Sequence, residues 1–184
     1  MAVQRNIAKT RKFISKRQPL SEAWLAWCAT SIGAMDFDVT LHLPYHLAHR
    51  KDSDILSQSL THLFNRLDRY FLGAAHRWHG LRIPRFVTLE RTDGVGWHAH
   101  VSLKIWQDKQ GYVIDPDCFK RHLTDYWHDI TRQPITGKFS ALTVCFKPTH
   151  GEFLSYSLKQ IDKQHDHRGE VDTLNCSADH LLAA

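Results

Sequence analysis

Trp97-His98-Ala99-His100-Val101-Ser102-Leu103-Lys104-Ile105 alternates polar and apolar residues without a break. Successive side chains of a strand point to opposite faces. His98, His100, Ser102 and Lys104 therefore share one face, and Trp97, Ala99, Val101, Leu103 and Ile105 share the other. The apolar side needs a layer of helices against it. The polar side is expected to stay uncovered, with two adjacent imidazoles on it that can hold one divalent ion.

The residues just upstream extend this pattern. Arg85–Arg91 reads as a second strand, and Thr92-Asp93-Gly94-Val95-Gly96 between the two is rich in turn formers, as a hairpin requires. Glu90 stands eight residues before His98. An even separation across a hairpin puts both side chains on one face. Glu90, His98 and His100 are thus expected to form a three-ligand metal cluster with open coordination positions. The competing interpretation is a set of polar residues on the solvated side of a sheet. A second His-x-His, at His165 and His167, lies in a polar stretch with no strand pattern and reads as solvated surface.

Further out, Phe37, Val39, Leu41 and Leu43 alternate with Asp38, Thr40 and His42, which predicts a strand over 36–43. Leu56, Leu60, Leu63, Leu67 and Tyr70 are spaced 4, 3, 4, 3, which predicts an amphipathic helix over 52–72 closed by Gly73. Asp115 and Pro116 form a cap and first turn for a helix carrying Phe119, Leu123, Tyr126 and Ile130. A fourth strand is expected over 138–147 and a third helix over 151–163. A further helix is expected over 19–32, capped by Ser21, with Trp24, Leu25, Trp27 and Cys28 as its apolar side. The order β-α-β-β-α-β followed by a helix implies an α+β fold, a ferredoxin/RRM-like antiparallel sheet with two helices on one face. Residues 1–35 read as a basic leader and helix, 36–163 as the domain, and 164–184 as a loosely ordered polar tail.

Bulk properties are compatible with this. In 184 residues, 42% are hydrophobic and 23% charged, enough for a packed core and against wholesale disorder. No run approaches the roughly 18–20 apolar residues of a membrane span. Six basic residues and no acid occupy the first seventeen positions, but no apolar segment follows, so a secretory signal is not expected. This leader is expected to be mobile or held against nucleic acid. The net charge of +5 permits a polyanionic partner. Cys28, Cys118, Cys145 and Cys176 never form a C-x-x-C and read as reduced, cytosolic, small apolar residues.

On the last helix, at 100° per residue, Leu154, Leu158 and Ile161 form a buried stripe, while Tyr156, Lys159 and Lys163 lie opposite. Tyr156 is then either a surface aromatic beside a lysine or a nucleophile. A phenol, with a reference pKa of about 10, needs a nearby cation or metal to attack. Lys159 supplies positive charge one turn away.

Taken in order, Val39-Thr40-Leu41-His42-Leu43, then Glu90 with His98-Ala99-His100, then Tyr156-Ser157-Leu158-Lys159, the chain resembles the HUH endonucleases over residues 36–163. It is most similar to single-tyrosine rolling-circle replication initiators (Rep proteins) of plasmids and single-stranded DNA viruses. Ala99 is smaller than the family's usual residue there, and the first motif lacks its customary aromatic start. The resemblance implies Mg²⁺ or Mn²⁺ on Glu90, His98 and His100, with Tyr156 and Lys159 catalytic. The activity implied is site-specific nicking and strand transfer of single-stranded or hairpin origin DNA through a 5′-phosphotyrosine, with Asp162 as a candidate for proton transfer. Arg85, Arg91, Lys104, Lys147 and Lys163 are candidates for DNA contact, and Trp97 or Trp106 for base stacking. For each of these the alternative is ordinary surface charge or a core aromatic.

Three other readings compete. A single-tyrosine transposase shares the motif order. A non-catalytic RRM-like module would want stacking aromatics where Glu90 and the histidines lie. A cupin-type metalloenzyme would need an acid shortly after the second histidine and many more strands. Relaxases place their tyrosine near the N-terminus, whereas the first here is Tyr45. With no G-x-x-x-x-G-K-[ST], unwinding is expected from a separate helicase. With Gln at 160 in place of a second tyrosine, termination points to a second protomer, hence a possible homodimer. A bacterial plasmid or phage origin, with a viral one as the alternative, and a cytoplasmic location are the expectation.

Overall fold

A computed structural model describes residues 20–104, 108, 110–132, 144–148 (backbone), 153–159, 161 and 168–178. In chain order the elements are α1 (Leu20–Ser31), β1 (Phe37–His42), α2 (Tyr45–Ala48), α3 (Asp54–Leu72), α4 (Ala74–His79), β2 (Arg85–Thr92), β3 (Gly96–Leu103), α5 (Pro116–Thr131), β4 (Val144–Pro148), α6 (Phe153–Ser157) and β5 (Gly169–Val171). The fold is α+β. One antiparallel sheet runs in the order β4-β1-β3-β2-β5.

The first three predicted strands and the two long helices form where their patterns place them, and of the fourth strand 144–148 is seen paired with β1. Val39 and Leu41 of β1, Val87 and Leu89 of β2, and Ala99, Val101 and Leu103 of β3 are buried beneath α3 and α5. Leu56, Leu60, Leu63 and Leu67 of α3 and Phe119, Leu123 and Trp127 of α5 complete that core. Burying one such leucine contributes roughly 1.5–3 kcal/mol. Asp115 caps α5 by accepting from Cys118 N–H at 2.8 Å, with Pro116 in the first turn. Gly73 ends α3 at φ 54°. Tyr70 is exposed instead of closing the α3 stripe, and its neighbour Phe71 is buried in its place. The short helices α2 and α4 carry no periodicity long enough to predict.

The second sheet face departs from expectation, because it is not left open. Cys28 and Ile32 at the end of α1 pack with Phe86 of β2 and Leu158, and Trp24, Leu25, Trp27, Leu154 and Ile161 close around them. The physical cause is the apolar side of α1 itself, whose two tryptophans need a partner, and Phe86 is the apolar residue of β2 pointing that way. The helix expected over 151–163 ends sooner: α6 covers Phe153–Ser157, and Leu158, Lys159 and Ile161 lie in turns. Ser21 lies inside α1.

Residues beyond 164 were expected to be loosely ordered, and for 168–178 this is overturned. Thr88, Leu89 and Glu90 pair with Val171, Glu170 and Gly169, and Arg85 bridges to Ser177. Asp172, Asn175 and Ser177 are buried. A three-residue strand has too little alternation to announce itself, and its stability comes from the β2 edge it covers. Residues 1–19, His165 and His167 lie outside the described residues, as does the 138–143 part of the fourth strand.

Candidate metal centre

The register places the site. Glu90 lies directly across from His98, and His98 across from His42, while Thr88, His100 and Thr40 form the next row. All six share the face opposite the α3/α5 core. Glu90, His98 and His100 are buried, and one ligand atom from each lies within 4.8 Å of the others. Glu90 Oε2 is 3.1 Å from His100 Nε2 and 3.8 Å from His98 Nε2. The three residues can therefore hold a metal ion, as their spacing predicted.

The surroundings fit such a group. His98 Nδ1 donates to the Gly96 carbonyl oxygen at 3.1 Å, which fixes the ring proton on Nδ1 and leaves Nε2, 3.8 Å from Glu90 Oε2, unprotonated and able to ligate. His100 Nδ1 lies 3.2 Å from Thr40 Oγ1. A hydroxyl both donates and accepts, so Thr40 suits either tautomer of His100. Burial lowers the pKa of His98, with positive charge on His100 adding to the effect, so the neutral, ligating ring is favoured. The buried Thr88 hydroxyl, in register with His100 on the same face, has no protein partner among the described residues.

His42 belongs to this site, although the sequence offered it only as part of a strand motif. Its ring stacks on His98 with centroids 5.2 Å apart and planes 22° apart. Burial, with His98 and His100 nearby, pushes its pKa down to about 4. Its strand parity with Thr40 was the available signal.

Tyr156 and Lys159 reach the same place from α6 and the turn that follows. Phe153 and Tyr156 each set a ring edge-on to His100, at 5.6 and 5.7 Å between centroids. Lys159 N–H donates to the Tyr156 carbonyl oxygen at 3.1 Å, a tight turn that folds its side chain back. Lys159 Nζ then sits 3.5 Å above the Tyr156 ring centre and 3.6 Å from Glu90 Oε1. Tyr156 is 51% exposed, open to a large substrate.

The candidate DNA contacts fare differently. Arg85 is fully buried on the other face, paired with Asp68 through two 3.0 Å hydrogen bonds and capped by the Asn175 and Ile83 carbonyls. It cannot track phosphates, and its parity with Val87 and Leu89 is the reason. Trp97, 5% exposed, is a core residue and stacks no base. Arg91 shares the Arg85 parity and faces away from Glu90. Lys104 lies on the site face, where its Nζ donates to the Ile32 carbonyl oxygen at the end of α1 (3.1 Å). Lys147 is described by its backbone alone, opposite Asp38. Lys163, Asp162 and Trp106 lie outside the described residues. No helix among the described residues is long and apolar enough to cross a membrane. Comparison with family models, characterised proteins and solved structures returned no match.

Proposed function

We propose that this protein is a metal-dependent single-stranded DNA nicking and strand-transfer enzyme of the HUH type, with Tyr156 as nucleophile. The observation that carries the reading is convergence: a carboxylate, two imidazoles, a tyrosine ring and an ammonium group from β2, β3 and the α6 segment meet within contact distance. The order β4-β1-β3-β2, with α3 and α5 on one face, supports a ferredoxin/RRM-like framework for it.

Glu90, His98 and His100 would hold Mg²⁺ or Mn²⁺, which would supply Lewis-acid polarisation of the scissile phosphodiester. The Tyr156 oxygen attacks phosphorus, a P–O bond to tyrosine forms, and the bond to the 3′ oxygen breaks. The phenol gives up its proton and the departing 3′ oxygen acquires one, so no water is consumed. The phosphodiester bond energy is kept in the 5′-phosphotyrosine, and a 3′-OH can reverse the step. Lys159, already against the ring, stabilises the negative charge that develops. Single-stranded or extruded DNA is the substrate the buried, helix-flanked ligands favour, because only a flexible backbone can enter beside Tyr156.

The test is covalent capture. Protein incubated with Mn²⁺ and a pool of single-stranded oligonucleotides should give an adduct that survives SDS. Tyr156→Phe and EDTA should each abolish it. An adduct that persists in Tyr156→Phe moves the nucleophile elsewhere, and cleavage without an adduct makes water the attacking group.

A further inference from the structure

The two oxygens of Glu90 face different partners. Oε2 faces the imidazoles, at 3.1 Å from His100 and 3.8 Å from His98, while Oε1 faces Lys159 Nζ at 3.6 Å. The carboxylate is buried, but the lysine side chain is 34% exposed and leads outward past Tyr156. A compact ammonium on a four-carbon stem can leave one partner for another without moving the backbone. A second resting place is already in contact with it, the face of the Tyr156 ring.

We propose that Lys159 is a resident counter-ion of Glu90, shared with the face of Tyr156, and that a divalent ion drives its ammonium off the carboxylate so that Tyr156 alone holds it. This rests on the metal reading of the site and adds to it an order of events. Without the ion, Lys159 offsets part of the cost of a buried negative charge. When a doubly charged ion joins the same carboxylate, the ammonium faces a net positive centre a few ångströms away, and its attraction to Glu90 turns to repulsion. Its tether in the turn after α6 limits where it can go, and the tyrosine side is the exit. Binding of the ion thereby frees the ammonium from Glu90 and leaves its charge to the nucleophile alone, so cation loading and readiness of Tyr156 become one event. Without the ion, the lysine divides its charge between Glu90 and the Tyr156 ring.

The experiment is Mn²⁺ binding to the full chain, read from the free-Mn²⁺ paramagnetic signal, for wild type, Lys159→Gln and Lys159→Arg. Removal of the opposing charge should tighten Mn²⁺ binding in Lys159→Gln by roughly three- to tenfold, a range set by a partly screened charge pair. Lys159→Arg, which keeps the cation, should stay near wild type. Melting in EDTA and in Mn²⁺ gives a second measurement: the Mn²⁺-induced rise should be larger for Lys159→Gln than for wild type. Equal affinities for wild type and Lys159→Gln would overturn the proposal, as would Lys159→Arg binding as tightly as Lys159→Gln. Failure of the metal reading itself looks different, because then no protein binds Mn²⁺, wild type included.

Discussion

His98 is hung from Gly96. Its Nδ1 donates to the Gly96 carbonyl oxygen at 3.1 Å, and Gly96 in turn is wedged against the backbone of Ala48. At φ 77°, a Cβ on Gly96 would lie 2.4 Å from the Ala48 oxygen and 2.6 Å from its carbonyl carbon. The bond that fixes the tautomer of a ligand thus depends on a residue with no side chain.

Gly96→Ala should therefore cost stability and metal affinity together. The positive φ alone costs about 1–3 kcal/mol, and the clash with backbone adds to it. Urea unfolding should show the loss, and Mn²⁺ titration should show weaker binding. Gly94→Ala, with nothing within 4 Å of its Cβ, is the control and should leave Mn²⁺ affinity unchanged.

Arg85 should behave as a structural cation. Asp68→Ala strands a buried guanidinium, and breaking such a pair costs about 3–5 kcal/mol. Arg85→Ala should destabilise comparably. If folded protein is recovered, its DNA affinity should keep the wild-type salt dependence, because no phosphate contact is lost. A shallower salt slope in Arg85→Ala would return this residue to the DNA surface.

Acid should destabilise the metal-free protein through the histidine stack. His42 and His98 resist protonation when folded, but titrate near their ordinary value of about 6.5 when unfolded. Below that pH the unfolded chain binds more protons than the native one, so stability falls as pH drops. For His42 the loss should run from about pH 6.5 down to its folded value of about 4 and then level off. Denaturant midpoints in EDTA across pH 4–7 should show this slope, reduced in His42→Phe, which keeps the ring without its titration.

Cys28 and Cys176 should alkylate slowly in the native state at pH 8. Burial pushes both thiols up to about 12, so little thiolate exists to react. Cys176 also donates weakly to the Val87 carbonyl oxygen, at 3.7 Å. Iodoacetamide labelling followed by mass spectrometry should find both protected until denaturant is added.

The parts of this molecule legible in the sequence were those governed by short periods. The two-residue repeat of 97–103 and the even offset of Glu90 from His98 fixed the ligand face, because a hairpin leaves little freedom in register. The same parity argument, applied to Arg85 and Trp97, places both in the core, and their charge or aromaticity alone was a poor guide to exposure. What periodicity could not carry was partnership at long range. Nothing local in Trp24 and Trp27 says which sheet face α1 will cover. Nothing in Gly169-Glu170-Val171 says that it pairs with Glu90. His42 was visible on the right face, but its stacking on His98 depends on the β1–β3 register, which only the assembled sheet supplies.

The β5 pairing also bears on how the site comes into being. Glu90 sits on a strand whose outer edge is closed by residues some eighty positions later in the chain, and the Arg85 guanidinium takes its Asn175 carbonyl from the same late segment. Such distant contacts form slowly, after the local hairpin and helices have organised. A ribosome that has released the chain only through α6 has therefore freed every ligand and the tyrosine, yet not the border that holds the carboxylate strand in place. The candidate metal centre would be completed late in biogenesis, after the nascent polypeptide has cleared the translation machinery past α6.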